Sequence, residues 1–375
     1  MTDSIYFAPL LPWQQSLWSQ LTARVLAPAQ SLPHALLAAG MQGMGKRAFV
    51  WRLVAWLLCH NREQSPLGAC GNCESCQWLK SGTHPSLQVL PIISMPINAA
   101  THDSHAALKS SNKSKTASAS STSNQAIKTA VKGSLTTKID DIRALQPFIY
   151  QGGQGMRICV LDHAEQMTIA AANALLKTLE EPQAQVHLFL ISDIPAKLLP
   201  TIKSRVQQLP LQSIEPTLAR DYVTHALGST INREAVSSSQ IEQLLQMANG
   251  APLAAIELAQ ADWYSKRALW LTTWQALKQG KRSSLAASDY WQAQLSIQEF
   301  IQLTETMLLD IQRLGVGFES QQKDIELKAA LAHNQPDSNA LNTLTGSLQQ
   351  IKVALQQNVQ EKYAYDKLMQ QLAQL

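Results

Sequence analysis

The sequence predicts an α/β domain with a parallel sheet, followed by a chain that is helical to its end. Three observations predict it. Four short runs, Ala35–Ala39, Leu87–Leu90, Arg157–Leu161 and Val186–Ser192, have strand length and are almost continuously apolar. That is how strands covered on both faces read, as in parallel sheets. Helical patterns lie between the runs and imply crossover connections. After about Leu211 the strand signal ends.

Each element has a local cause. Residues 46–58 place Phe49, Val50, Leu53, Val54, Leu57 and Leu58 along one helical face. Residues 168–181 carry Ile169, Ala172, Leu175, Leu176 and Leu179, and Pro182 stops that helix. Helical patterns at 218–227 and 239–248 precede Asn249-Gly250, a helix stop, and Pro252 opens the next helix. Leu341, Leu344, Leu348, Ile351, Leu355 and Val359 recur at three- and four-residue steps. That stripe reads as a bundle core or as a partner surface.

Composition bounds the function classes. The 375 residues suggest about two or three domains at roughly 100–200 residues each. Apolar residues at 45% and charged residues at 15% exclude wholesale disorder. No stretch approaches the ~18 uncharged apolar residues of a membrane helix. The first residues lack a basic region followed by an apolar run, so no secretory signal is expected. Five cysteines, four of them within residues 59–76, do not make a disulfide framework and fit a reduced cytoplasmic setting.

The net charge is +4, of which +5 falls within residues 101–138, leaving −1 for the rest. Nucleic-acid binding therefore cannot be argued from global charge. Fifteen of those 38 residues are Ser or Thr, and none is aromatic. A disordered or mobile insertion is expected at about 97–138, either a tolerated surface feature or a functional tail.

Gly40-Met41-Gln42-Gly43-Met44-Gly45-Lys46-Arg47 follows a predicted strand and opens a predicted helix, the context of a Walker A loop. Glycines let backbone N–H groups wrap phosphate oxygens, and the lysine reaches the terminal phosphates. The eighth position should carry a hydroxyl that ligates Mg²⁺, and it is Arg47. The strand Arg157–Leu161 leads to Asp162, placed to hold a metal shell, but the next residue, ordinarily the acid that polarises water, is His163. Gly40, Gly43, Gly45, Lys46 and Asp162 thus form a degenerate nucleotide site. The residues allow a scaffold kept for its fold, or vestigial nucleotide binding, in preference to catalysis; ATP with Mg²⁺ is not expected in cis.

Cys59, Cys70, Cys73 and Cys76 sit in one insert, residues 59–76, at spacings that can surround a tetrahedral Zn²⁺. A small loop-rich insert has little core, so the metal would fold it. Four cysteines leave no open position, which makes such a zinc structural. An iron–sulfur cluster and free thiols are the competing readings; no Cys-Pro follows Cys76. Cys159 lies in a predicted buried strand and reads as core.

Asn173-Ala174-Leu175-Leu176-Lys177-Thr178-Leu179-Glu180-Glu181-Pro182, a following strand, and Ser204-Arg205 complete a set. Together with the altered loop and the four-cysteine insert, it resembles the clamp-loader branch of the AAA+ ATPases. The resemblance covers the chain from about residue 8 to the end, apart from the Ser/Thr-rich insertion. It implies an AAA+ P-loop domain at 1–212, a helical lid at 213–262 and a helical collar for oligomerisation at 263–375.

It further implies a non-hydrolysing clamp-loader subunit of a bacterial replicative polymerase holoenzyme. The implied partners are motor subunits of the gamma/tau type and a delta subunit, with the sliding clamp and primer-template DNA engaged through the complex. Arg205, with Ser204 before it, maps to an arginine finger acting on ATP bound by a neighbour. Val206 replaces the family's cysteine. From position alone, Arg205 could equally make a surface salt bridge. Active relatives carry an arginine near Gly250-Ala251-Pro252-Leu253 that contacts the γ-phosphate; this chain has Leu253 there. Ser192 matches a polar sensor position. The alternatives are an active AAA+ motor subunit, which needs a hydroxyl at 47 and an acid at 163, and a zinc-dependent nucleic-acid adaptor.

Overall fold

The computed structural model describes residues 5–27, 32–95, 135–150, 155–211, 213–230, 237–331, 336–357 and 359–375. Most of the Ser/Thr-rich insertion, 96–134, lies outside the described residues. Its expected last residues do not: Thr137 is buried and its carbonyl accepts from Thr168 N at 3.1 Å, so chain packed on the domain resumes before residue 138.

The chain divides into two compact units, residues 1–218 and 219–375. The first is built on strands β1 (Ala35–Ala39), β2 (Leu87–Leu90), β3 (Arg157–Leu161), β4 (Val186–Ser192) and β5 (Gln207–Gln208). All pairings are parallel and the order is β2-β3-β4-β1-β5. Around the strands lie helices α1 (Gln15–Leu26), α2 (Lys46–Leu58), α3 (Glu74–Ser81), α4 (Ile139–Tyr150), α5 (Ile169–Glu180) and α6 (Pro200–Lys203).

The continuous apolar runs become strands because both sheet faces are covered. Leu36, Ala38, Val160, Phe189 and Ile191 face a core shared with α1 and α2. Leu37, Ala39, Leu161, Leu188 and Leu190 face the opposite core with α4 and α5. Helix α2 is buried on more than the one face its pattern marks. Trp51 meets Tyr6 edge-on at 5.7 Å and Trp56 meets Trp18 at 5.9 Å, because the N-terminal segment wraps its outer side.

The second unit is helical. Helices α7 (Pro216–Thr230), in which the unit boundary falls, α8 (Ser238–Met247) and α9 (Pro252–Gln260) share a small core of Val223, Leu227, Ile241, Leu244 and Ala255. Asn249 and Gly250 both take positive φ after α8, at 51° and 81°, and the Gly250 N–H closes on Leu245 O at 2.7 Å. This is the expected stop, and Pro252 occupies the first position of α9.

A larger core gathers α10 (Arg267–Lys278), α11 (Ser284–Gln292), α12 (Ile297–Gly315), α13 (Leu327–Leu331), α14 (Ser338–Gln356) and α15 (Glu361–Gln374). Leu341, Leu344, Leu348 and Ile351 are core residues, Leu355 packs at its margin, and Val359 lies past the end of α14. Among the described residues, no helix is long and apolar enough to cross a membrane.

Candidate functional site

The loop between β1 and α2 has the backbone of a phosphate cradle. Gly43 and Gly45 take φ of 84° and 79°, values that favour glycine, and Gly40 N–H donates to Ser192 O at 3.1 Å. Two N-terminal side chains pin the loop from outside. Trp13 Nε1 donates to Met44 O at 3.1 Å and Gln14 Nε2 to Gly45 O at 3.0 Å.

What occupies the cradle's charged positions is the protein itself. Strand β4 lies between the loop strand β1 and the acid-bearing strand β3. The residue that follows β4, Asp193, therefore emerges between Lys46 and Asp162. Lys46 is 2% exposed, hydrogen-bonds Met41 O at 3.1 Å and forms an ion pair with Asp193. Arg47 reaches across the same space. Its Nε lies 3.0 and 3.1 Å from the Asp162 oxygens and its NH2 lies 2.7 Å from Asp193 Oδ2. NH2 also contacts the His163 ring at 3.2 Å from Nδ1.

Two cations, Lys46 and Arg47, meet three carboxylates in this half-buried site: Asp162, Asp193 and Glu165, whose Oε2 accepts from Asp193 N at 3.3 Å. Burial opposes the charge on Arg47, but hydrogen bonds to Asp193 and Asp162 outweigh it and raise its pKa further. Burial likewise would raise the Asp193 carboxyl, and hydrogen bonds from Arg47 and Lys46 hold it below the ordinary value. A cationic guanidinium thus lies beside Asp162, at the place a metal shell takes in an unaltered Walker A site. Ser192 Oγ, wholly buried beside this network, has no hydrogen-bond partner among the described residues.

His163, Glu165 and Asp193 bring one ligand atom each within 4.8 Å of one another. The Arg47 guanidinium touches two of the three, and its charge opposes a cation there. His163 sits at φ 50° at the start of a short turn leading to Glu165, with its ring against the Arg47 guanidinium.

The cysteine insert converges. Sγ separations are 3.9 Å for Cys59–Cys73, 3.9 Å for Cys70–Cys76 and 3.5 Å for Cys73–Cys76. A tetrahedral ion with metal–sulfur bonds of about 2.3 Å needs sulfurs about 3.8 Å apart. None of the five cysteines is in a disulfide. Backbone N–H groups point at the sulfurs, from Cys70 to Cys59 Sγ and from Cys73 to Cys70 Sγ, both at 3.4 Å. Such bonds favour thiolate, and those from Asn72 and Cys73 draw Cys70 down to about 6. These four residues can hold a metal ion.

His60 and His84 are outside this shell. His84 Nδ1 accepts from Ser86 N at 3.1 Å, which leaves Nε2 to donate to Ser75 Oγ at 2.9 Å, and Ser75 donates to Leu58 O at 2.7 Å. Burial and the nearby His60 hold His84 down to about 4, so it is neutral near pH 7.

Arg205 follows the short helix α6, with Ile202 buried before it and Val206 packed against the core after it. Its side chain is part-exposed and pairs with Glu180, and Ser204 Oγ bonds Thr201 O at 3.0 Å. The salt bridge allowed by position is present. The sequence reading missed Asp193 and Glu180. The signal for Asp193 was its place just after β4, next to the strand that feeds the loop.

The fold and this loop define a class: a parallel α/β domain with a glycine-rich loop between β1 and α2 whose lysine and arginine are bridged by the chain's own acids. A family model described as DNA polymerase III, delta subunit, matches residues 13–215, more than half of the chain, and the chain belongs to that family. DNA polymerase III subunit delta' of Pseudomonas aeruginosa is 36% identical over 255 residues, covering 67% of this chain and 62% of that protein. The chain thus spans under two thirds of that relative's length.

The delta' subunit of Escherichia coli is 29% identical over 283 residues, 74% of this chain and 69% of that protein. The gamma/tau subunit of Mycobacterium tuberculosis is 28% identical over 199 residues, 52% of this chain and 27% of that protein. A gamma subunit-related protein of Thermotoga maritima, of known structure, has a TM-score of 0.37 at 16% identity, covering 96% of this chain and 99% of that one.

Proposed function

We propose that the chain is a non-hydrolysing clamp-loader subunit of the bacterial DNA polymerase III holoenzyme, cytoplasmic, with an AAA+ domain at 1–212, a lid at 213–262 and a collar at 263–375. Its partners in this reading are gamma/tau motor subunits and a delta subunit. The sliding clamp and primer-template DNA are engaged by the assembly as a whole.

One observation carries the non-hydrolysing part. Lys46 and Arg47 spend their charges on Asp193 and Asp162. A triphosphate entering the loop would have to break these pairs, and no hydroxyl stands at position 47 to ligate its metal. Arg205 then acts in trans. Its guanidinium is part-exposed on a fixed turn, and an arginine supplied by a neighbour can neutralise charge developing on the γ-phosphate. Cys59, Cys70, Cys73 and Cys76 would hold a zinc, which supplies a cross-link for the insert and no chemistry.

Steady-state turnover tests both halves. The isolated chain is expected to stay at the no-enzyme background. In the complex reconstituted with motor and delta subunits, Arg205→Ala is expected to lower DNA-stimulated ATP hydrolysis by at least about tenfold. Turnover by the isolated chain would favour an active motor, and an unaffected R205A complex would remove the finger.

A further inference from the structure

We propose that Glu180 is a positioning residue for Arg205: it holds the guanidinium in a preset direction, so that the finger reaches a neighbour's phosphate already ordered. This rests on the reading of Arg205 as a finger.

The sequence places the two residues 25 positions apart, and the fold brings them together. Arg205 Nε and NH2 both bind Glu180 Oε1, at 2.8 and 2.7 Å. NH1 binds Thr201 O at 3.0 Å and Ser204 Oγ at 3.3 Å. All three nitrogens are therefore engaged, yet the side chain stays 36% exposed. A guanidinium has five N–H donors, so this arrangement leaves hydrogen-bonding capacity for an incoming oxygen.

Both anchors are tied to the domain by backbone hydrogen bonds and buried neighbours. Glu180 is the last residue of α5, whose neighbour Leu179 is buried and whose Leu179 carbonyl accepts from His34 Nε2 at 3.1 Å. Arg205 N–H closes on Ile202 O at 3.0 Å, and Val206 packs on the core just beyond. A long arginine free in solvent loses rotamer freedom when it engages a ligand. Here that loss has already been taken in the unassembled chain. Because the pair is solvent-exposed, its strength is modest, and the guanidinium is directed without being locked away.

The test uses the reconstituted complex and two substitutions. Glu180→Ala is expected to lower kcat for ATP by about 3- to 30-fold, with KM unchanged, since misplacement of a correctly charged group costs rate before binding. Glu180→Gln keeps the volume and an oxygen acceptor, and is expected to recover at least half of that loss. Thermal unfolding of the isolated E180A chain should match the parent, separating positioning from folding.

Arg205→Ala runs in parallel. Loss of turnover in R205A with E180A at or above the parent rate would overturn the positioning role and leave the finger standing. An E180A defect that E180Q fails to relieve would also overturn it. Unchanged turnover in R205A would remove the finger and this inference with it.

Discussion

Arg47 Nε stands 3.0 Å from Asp162 Oδ1, so the residue in the metal-hydroxyl position has become the counter-ion of the residue in the metal-acid position. Arg47 is one of two departures from the loop's pattern, and the other, His163, lies against the same guanidinium. A fixed cation replaces a mobile one, and its bonds to Asp193 and Asp162 hold it there against the cost of burial.

Arg47→Thr should therefore destabilise the fold. It leaves Asp162 buried, with Asp193 and Glu165 nearby, and only Lys46 to balance the carboxylates. The expected loss is about 2–4 kcal/mol at neutral pH, read from chemical denaturation. Millimolar Mg²⁺ should raise the melting temperature of the variant and leave the parent unmoved.

Asp193 gives the same network an acid limb. Its carboxyl titrates below the ordinary value in the folded chain. A depressed folded pKa stabilises above the unfolded value of about 3.9 and is lost as the pH falls below it. Asp193→Asn should flatten that limb in a series of urea titrations.

His84 predicts a second pH window. Its folded value is about 4 against about 6.5 unfolded, so the unfolded chain binds the extra proton. The contribution is whole above about pH 6.5 and disappears as the pH falls toward 4, by about 3 kcal/mol at most. Urea midpoints at pH 7 and pH 5 should differ less in His84→Gln than in the parent.

The cysteine insert predicts one zinc per chain by elemental analysis. Chelation, or Cys76→Ser, should unfold the insert and expose Trp78, a change visible in tryptophan fluorescence. The helical unit at 219–375 should keep its circular dichroism.

Arg267 supports that unit. It is 3% exposed, stacks on Tyr264 at 3.5 Å, and its NH2 lies 2.5 Å from Asp324 Oδ2, while the other Asp324 oxygen, Oδ1, accepts from Gln243 Nε2 of α8. Arg267→Met should cost about 1–3 kcal/mol, because Asp324 is half solvated and can find water. Asp324→Asn, which leaves the cation buried, should cost at least as much.

The four main strands were legible because a strand buried on both faces must be apolar along its length. β5 was not: Gln207 and Gln208 are exposed and polar, and only pairing with Leu36 and Leu37 makes them a strand. α4 was hidden by the neighbouring Ser/Thr-rich segment and by Pro147 within the helix. The cysteine spacing announced its own convergence, since three of the four cysteines lie within one turn and the start of α3. The charge network was half legible. Arg47 and His163 marked the departures from the Walker pattern, but the compensating acid, Asp193, lies 147 residues from Lys46 and is paired to it only by the strand order.

Titration of the isolated, zinc-loaded chain with ATP and Mg²⁺ in a calorimeter, with product assayed in the same cell, bears on the central claim most directly. The account predicts no saturable heat up to millimolar nucleotide and no diphosphate released. Stoichiometric binding accompanied by steady release of ADP would contradict it.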